Sequence, residues 1–149
     1  MKDERDPIVI LSDLARAIRT RADARARTHG MTRAQWMILV RLDWHPGMSQ
    51  NELAQLIEVE PITVGRLVDR LEARGFVERR PDANDRRIWR LHLTPAASPM
   101  LEEIAHARAE LNQMLTAGIP QKNLDAAIDC LLAMKANFAT EIRMGAKSA

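Results

Sequence analysis

Thr63, Arg66 and Arg70 recur at spacings of three and four residues, and Arg79, Arg80, Arg86, Arg87 and Arg90 follow soon after. A guanidinium is a planar fork of donors that fits two phosphate oxygens, or the O6 and N7 of guanine, at once. A threonine among such forks adds a short hydrogen-bonding hydroxyl. The chemistry on offer is therefore recognition of a polyanion that also has readable edges. Covalent chemistry has no comparable support. No glycine-rich phosphate loop, G-x-S-x-G or H-E-x-x-H run is present, and His29, His45, His92 and His106 are scattered, without ligand spacing to the single Cys130. Neither an enzyme nor a metal or other cofactor is expected.

Residues 49 to 94 supply the elements that would position these groups. Ser49 can cap a helix whose Glu52 reaches back to the cap nitrogen, with Leu53, Leu56 and Ile57 on one face. Val59-Glu60-Pro61 breaks that helix, and proline suits the first turn of the next. In this second helix Val64, Leu67, Val68 and Leu71 form an apolar stripe, leaving Thr63, Arg66 and Arg70 on the opposite face. Arg74-Gly75 closes it. Phe76 to Arg80 then reads as a strand, Pro81 to Asp85 as a turn, and Ile88 to Leu93 as a returning strand with Trp89, Leu91 and Leu93 alternating on one face. Two short helices followed by a basic hairpin make a winged helix-turn-helix, and the fold class expected is mainly α with a small β-hairpin wing.

The run LEARGFVERRPDANDRRIWRLHLT resembles the signature of the multiple-antibiotic-resistance regulator (MarR) family, L-E-x-x-G followed by two hydrophobic residues, x-R, then D-x-R and L-T. The matching positions are Leu71, Glu72, Gly75, Arg79, Asp85, Arg87, Leu93 and Thr94, and MTRAQWMILVRL resembles the preceding helix of the same family. The pattern departs at Ala97, where the family often carries glycine. The resemblance implies a homodimeric transcriptional regulator, most simply a ligand-relieved repressor, bound to double-stranded DNA at a palindromic operator. DNA contacts are expected from Thr63, Arg66, Arg70, Arg79, Arg80, Arg86 and Arg87, with Asp85 holding the hairpin tip. It also implies an effector, a small anionic aromatic acid or an acyl-coenzyme-A thioester, between the dimer helices and the wing domain. Arg16, Arg19, His29, Trp36 and Met37 are the candidates for that cleft, although a tryptophan on an apolar helix face is ordinarily core.

The flanking segments read as helices that need a partner. Residues 8 to 28 carry Ile8, Leu11, Ala15, Ile18 and Ala22 along one stripe. Thr32 and Gln35 form a capping box for a helix that buries Trp36, Leu39, Val40 and Trp44. Pro99 cannot donate to the carbonyl of Pro95, so a short turn and a restart at Ser98 are expected. Leu101, Ile104, Leu111 and Leu115 then form one stripe, and beyond Gly118-Ile119-Pro120 a last helix carries Leu124, Ile128, Leu131, Phe138 and Ile142. Residues 1–30 and 95–149 are read as a helical dimerisation region and 31–94 as the DNA-binding domain, because reading helices one duplex turn (~34 Å) apart require a twofold frame.

The 149 residues are 46% apolar, enough for a core, and the net charge is only +2. Distribution carries the argument instead. Eighteen of the 22 basic residues are arginine, while residues 95 to 149 hold five basic and six acidic groups. The first-helix arginines, Arg16, Arg19, Arg21, Arg25 and Arg27, read ordinarily as a solvated face. No membrane span or secretion signal is legible, so a cytoplasmic location is expected. Cys130 has an acid beside it that disfavours the thiolate, so packing is its expected role. A redox-responsive regulator acting through Cys130 and an effector-independent, architectural DNA binder are the alternatives.

Overall fold

Side-chain caps set the first helix boundaries. In the computed structural model, which describes residues 5–145, Asp6 accepts a 2.8 Å bond from the Ile8 amide and opens α1 (Pro7–Thr28). Thr32 and Gln35 close a reciprocal capping box at the start of α2 (Arg33–Trp44). Ser49 and Glu52 do the same for α3 (Gln50–Ile57), where the Ser49 amide donates to Glu52 Oε2 at 2.7 Å. Such boxes satisfy amides that would otherwise lack partners in the first turn. Helix α4 (Pro61–Ala73) follows a left-handed Glu58 with φ 55°, and ends where Gly75 takes φ 74°, a conformation that disfavours any side chain bearing a Cβ.

The wing is larger than a hairpin. Strands β2 (Val77–Pro81) and β3 (Trp89–Leu93) pair antiparallel, Val77 opposite Leu93 and Arg80 opposite Arg90. A two-residue strand, β1 (Met48–Ser49), adds to the other edge of β3 with Met48 opposite Leu91, giving the order β1-β3-β2. Two residues are too few for alternation to mark them in the sequence. After β3 a 3₁₀ turn, Pro95–Ala97, precedes α5 (Ser98–Thr116), so the expected restart at Ser98 is present.

The chain divides into two compact units, Met1–Leu111 and Asn112–Ala149. The first has its core where α2, α3, α4 and the sheet meet: Ile38, Leu39, Leu42, Leu53, Val64, Val68, Leu71, Val77 and Leu91 are all essentially inaccessible. Three expected core residues are not there. Leu56 is exposed and Ala54 is buried in its place. Trp44 is exposed at the end of α2, its ring covered by the guanidinium groups of Arg41 at 5.5 Å and Arg108 at 5.8 Å. Trp89 is exposed at the outer end of β3, where strand alternation continues but the core beneath has ended. On α1 only Ala26 is buried, and Ile8, Val9, Ile10, Leu11 and Leu14 face solvent.

The second unit comprises the end of α5 and α6 (Gln121–Gly145), which starts where the Leu124 amide bonds the Pro120 carbonyl at 3.1 Å. Leu124 is half-buried, whereas Leu115, Ile128, Leu131, Leu132 and Phe138 are exposed. The side chain of Ile142 lies outside the described residues. Cys130 is exposed rather than packed. Among the described residues no helix is long and apolar enough to cross a membrane.

Candidate nucleic-acid interface

Helix α4 is fixed by its neighbour rather than by a cap of its own. Glu60 gives no side-chain cap bond; instead Gln50 Nε2 donates to the Pro61 carbonyl at 2.9 Å, tying the first turn of α4 to α3. Gly65 makes room for this, since a Cβ there would stand 2.9 Å from Gln50 Nε2. With Val64, Val68 and Leu71 inward, the helical period turns Ile62 and Arg66 most directly outward, with Thr63 and Arg70 along one flank. All four are exposed. Ile62 escaped the sequence reading because attention there fell on polar groups, although its spacing of four from Arg66 marks the shared face.

The five hairpin arginines have different surroundings. Arg79 spans two carboxylates of α4, bonding Asp69 at 2.6 Å and also Glu72, with its side chain largely buried. It braces β2 against α4. Arg80 folds onto Glu78, its Nε donating to Oε1 at 2.8 Å. At the tip, Asp85 accepts from the Arg87 amide at 2.9 Å and lies 3.6 Å from its guanidinium, yet the Arg87 side chain is 93% exposed. Such a wet pair constrains the guanidinium little. Arg66, Arg70 and Arg86 are exposed and enter no ion pair among the described residues.

Arg90 is the hub of the wing. Its Nε donates to Asp82 Oδ2 at 2.6 Å and its Nη1 to Glu52 Oε2 at 2.9 Å, so one guanidinium joins the hairpin turn to the cap of α3. Asp82 also accepts from the amides of Asn84 and Asp85, at 2.8 and 3.0 Å. The Arg90 bond, followed by these amides, holds the Asp82 carboxyl down at about 2. Glu52 is also lowered, chiefly by the Ser49 amide. Because the folded state prefers both carboxylates ionised, this anchoring is fully present above the ordinary aspartate value of roughly 4 and is lost as pH falls toward about 2. Amide-exchange protection of the wing should therefore hold from neutrality to about pH 4 and drop below it, whereas Asp82→Asn should be loose already at neutrality. Wild-type protection that decays between pH 7 and 5 would assign the anchoring to another group.

The effector candidates are only partly brought together. His29 and Trp36 lie with ring centroids 5.8 Å apart. Trp36 is buried, and no acceptor reaches its indole N–H among the described residues; the buried Nε of Arg25 is likewise without one. Glu103 of α5 lies 3.5 Å from His29 Nε2 and 3.7 Å from Arg25. The meeting of Arg25 with Glu103 was invisible to sequence reading because only tertiary packing brings α5 to this point. Met37 is half-buried, its sulfur 3.3 Å from Arg33 Nη1. Arg16 is bonded to Asp13 on its own helix at 2.6 Å, and Arg19 is exposed. A separate open cleft of about 470 Å³ flanks α4 on the Arg70 side; Arg27, Arg70 and Arg74 line it with no carboxylate, and none of the five effector candidates does.

These elements have close counterparts. A family model described as the MarR family matches residues 31–89. The crystal structure of the transcriptional regulator PA3341 is 33% identical, covers 89% of this chain and 97% of its own, and superposes with a TM-score of 0.77. The chain belongs to the MarR family. The transcriptional regulator SlyA is 28% identical over 91% of this chain and 96% of its own, with a TM-score of 0.78. A MarR-family regulator from Listeria monocytogenes, solved in complex with 26mer DNA, has the same fold at 20% identity, covering 92% of this chain and 91% of its own with a TM-score of 0.78. MarR-family proteins are transcriptional regulators rather than enzymes, and this chain is a DNA-binding member with the winged-helix fold.

Proposed function

We propose that this MarR-family protein is a homodimeric repressor of a palindromic operator, released by a small anionic aromatic acid or its coenzyme-A thioester. The observation that carries the DNA reading is the outward face of α4, where Arg66 enters no ion pair among the described residues and stands on a helix braced by Gln50. Arg66 reads a base edge in the major groove, Thr63 and Arg70 meet the adjoining backbone, and Arg86 and Arg87 at the wing tip reach the neighbouring minor groove or its phosphates. Arg79 and Arg80 contribute mainly by holding the wing. The Listeria relative bound to DNA supports the choice of a duplex partner. Residues 31–94 act as the DNA-binding domain and 1–30 with 95–149 as the dimerisation region, which would give the uncovered apolar side chains of α1 and α6 a partner. The protein works in the cytoplasm, where its operator is. A duplex-binding titration at several salt concentrations tests the reading: phosphate contacts give a linear fall of log affinity with log salt, and a flat response would reject it.

The effector would occupy the α1–α2–α5 cluster, where, among the described residues, the indole N–H of Trp36 and the Nε–H of Arg25 have no acceptor, while the Nη2 of Arg25 already lies 3.7 Å from Glu103 and 3.9 Å from Glu110. Release follows only if the ligand favours the spacing of reading heads that DNA does not. Trp36→Phe keeps an aromatic ring, though a smaller one, and removes the N–H; it should leave operator affinity within about twofold and weaken ligand-induced release by roughly fivefold or more, the loss of one buried hydrogen bond. A panel of aromatic acids and their coenzyme-A esters that neither quenched tryptophan fluorescence nor released DNA would eliminate the effector and favour an effector-independent regulator.

A further inference from the structure

Ile62 is 68% exposed, more than any other large apolar side chain between residues 31 and 94. An isolated exposed isoleucine ordinarily needs no explanation. Two further features set this one apart. It shares the outermost line of α4 with Arg66 one turn later, opposite the buried Val64, Val68 and Leu71. Its backbone is also unusually well held for a first helical turn, because proline fixes the preceding φ and the Pro61 carbonyl accepts from Gln50 at 2.9 Å. A β-branched side chain in a helix keeps essentially one χ1 rotamer. Ile62 is therefore a stiff apolar probe on a braced platform, with little rotamer freedom left to lose on contact.

The floor of the major groove in unmodified DNA offers one apolar group, the 5-methyl of thymine. We infer that Ile62 is a specificity-determining residue that packs against a thymine methyl in each half-site, a step that rests on α4 being the reading helix. Four residues of helix separate Ile62 from Arg66 by about 6 Å, close to two base-pair steps of ~3.4 Å. The thymine is thus placed within about two steps of the base pair that Arg66 reads. Thr63 adjoins Ile62 and carries a methyl of its own, so the test must separate the two.

A preferred site is first selected from random synthetic duplexes with the full-length protein, and each thymine of one half-site is then replaced by deoxyuridine, which removes the methyl and nothing else. The wild type should lose about fourfold in affinity at one position, the value of one methyl-sized contact. Ile62→Ala removes the contact from both half-sites and should bind the thymine site about sixteenfold more weakly, as the wild type binds a site with uridine in both half-sites; it should no longer distinguish thymine from uridine, whereas Thr63→Ala should still distinguish them. Specific binding with no uridine-sensitive position would overturn the role of Ile62 while leaving the DNA reading intact. Sensitivity that persists in Ile62→Ala and vanishes in Thr63→Ala would move the contact to Thr63. Failure to select any sequence would overturn both this inference and the reading of α4 on which it rests. Because Ile62 is exposed, the alanine variant should retain the wild-type circular dichroism and unfolding midpoint.

Discussion

Replacing Ile128 and Leu131 together by aspartate is expected to make the protein monomeric and to lower operator affinity by a hundredfold or more, without touching a residue that faces DNA. Both side chains are exposed on α6, as are Leu132 and Phe138 on the same helix. Burying an isoleucine or leucine contributes roughly 1.5–3 kcal/mol, and twofold symmetry counts each residue twice. The double substitution removes four such contributions and would place four charges in an apolar contact, a cost the dimer cannot absorb. A monomer then engages one half-site and falls toward non-specific affinity, which for regulators of this kind is about a thousandfold or more weaker than specific binding. Light scattering should report the change of mass while circular dichroism stays near that of the wild type. A variant still dimeric at micromolar concentration, or a wild type that is monomeric yet binds a palindrome tightly, would move the dimer contact off α6.

The same side chains show how legible this fold was. Local chemistry read well. The two capping boxes, the break at Pro61, Gly75 beyond α4 and the restart at Ser98 each depend on residues no more than four apart, and each lies where expected. Interactions between distant residues did not read. Arg90 meets Glu52 across 38 positions, and, although Asp85 does meet Arg87 at the hairpin tip, no local pattern marked Asp82 as the group that gathers two amides and the Arg90 guanidinium. Periodicity also overstated burial at element ends. Trp44 and Trp89 keep the apolar phase of their elements but are exposed at the ends of α2 and β3, whereas Leu56 lies on the flank of α3 away from the buried Leu53, Ala54 and Ile57.

The candidate site divides along the same line. The face of α4 follows from helical period alone, and the positions of Thr63, Arg66 and Arg70 were accordingly legible; the availability of each arginine was not, because it depends on which carboxylates the fold brings near. Arg79 and Arg80 look equivalent to Arg86 and Arg87 in sequence, yet Glu72, Asp69 and Glu78 occupy the first two while the second two point into solvent with at most a wet partner. The effector candidates come together only in part, His29 with Trp36. Arg16 and Arg19 were chosen for charge and helix, but the guanidinium that reaches the His29–Trp36 cluster through Glu103 is that of Arg25.

That difference in availability gives Arg66 the largest expected effect of any single DNA-facing residue. Arg66→Ala should cost about 1–3 kcal/mol per half-site if its fork engages a base edge, hence about 2–6 kcal/mol for a symmetric dimer whose half-sites are far enough apart to add. Arg66 is exposed and enters no ion pair among the described residues, so the substitution removes no internal support and stability should change by less than about 0.5 kcal/mol. Arg79→Ala is the contrasting control. It strips the brace from Asp69 and Glu72 and should loosen the wing and lower the unfolding midpoint before it affects any direct contact. Arg66→Lys separates charge from geometry: a lysine keeps the positive charge, and with it the salt dependence of non-specific binding, but lacks the two-pronged donor, so its discrimination between operator and competitor DNA should approach that of the alanine variant. If Arg66→Lys retained wild-type discrimination, Arg66 would be a phosphate contact and the base reading would pass to Thr63 and Ile62; if Arg66→Ala bound the operator as well as the wild type, α4 would not be the reading helix at all.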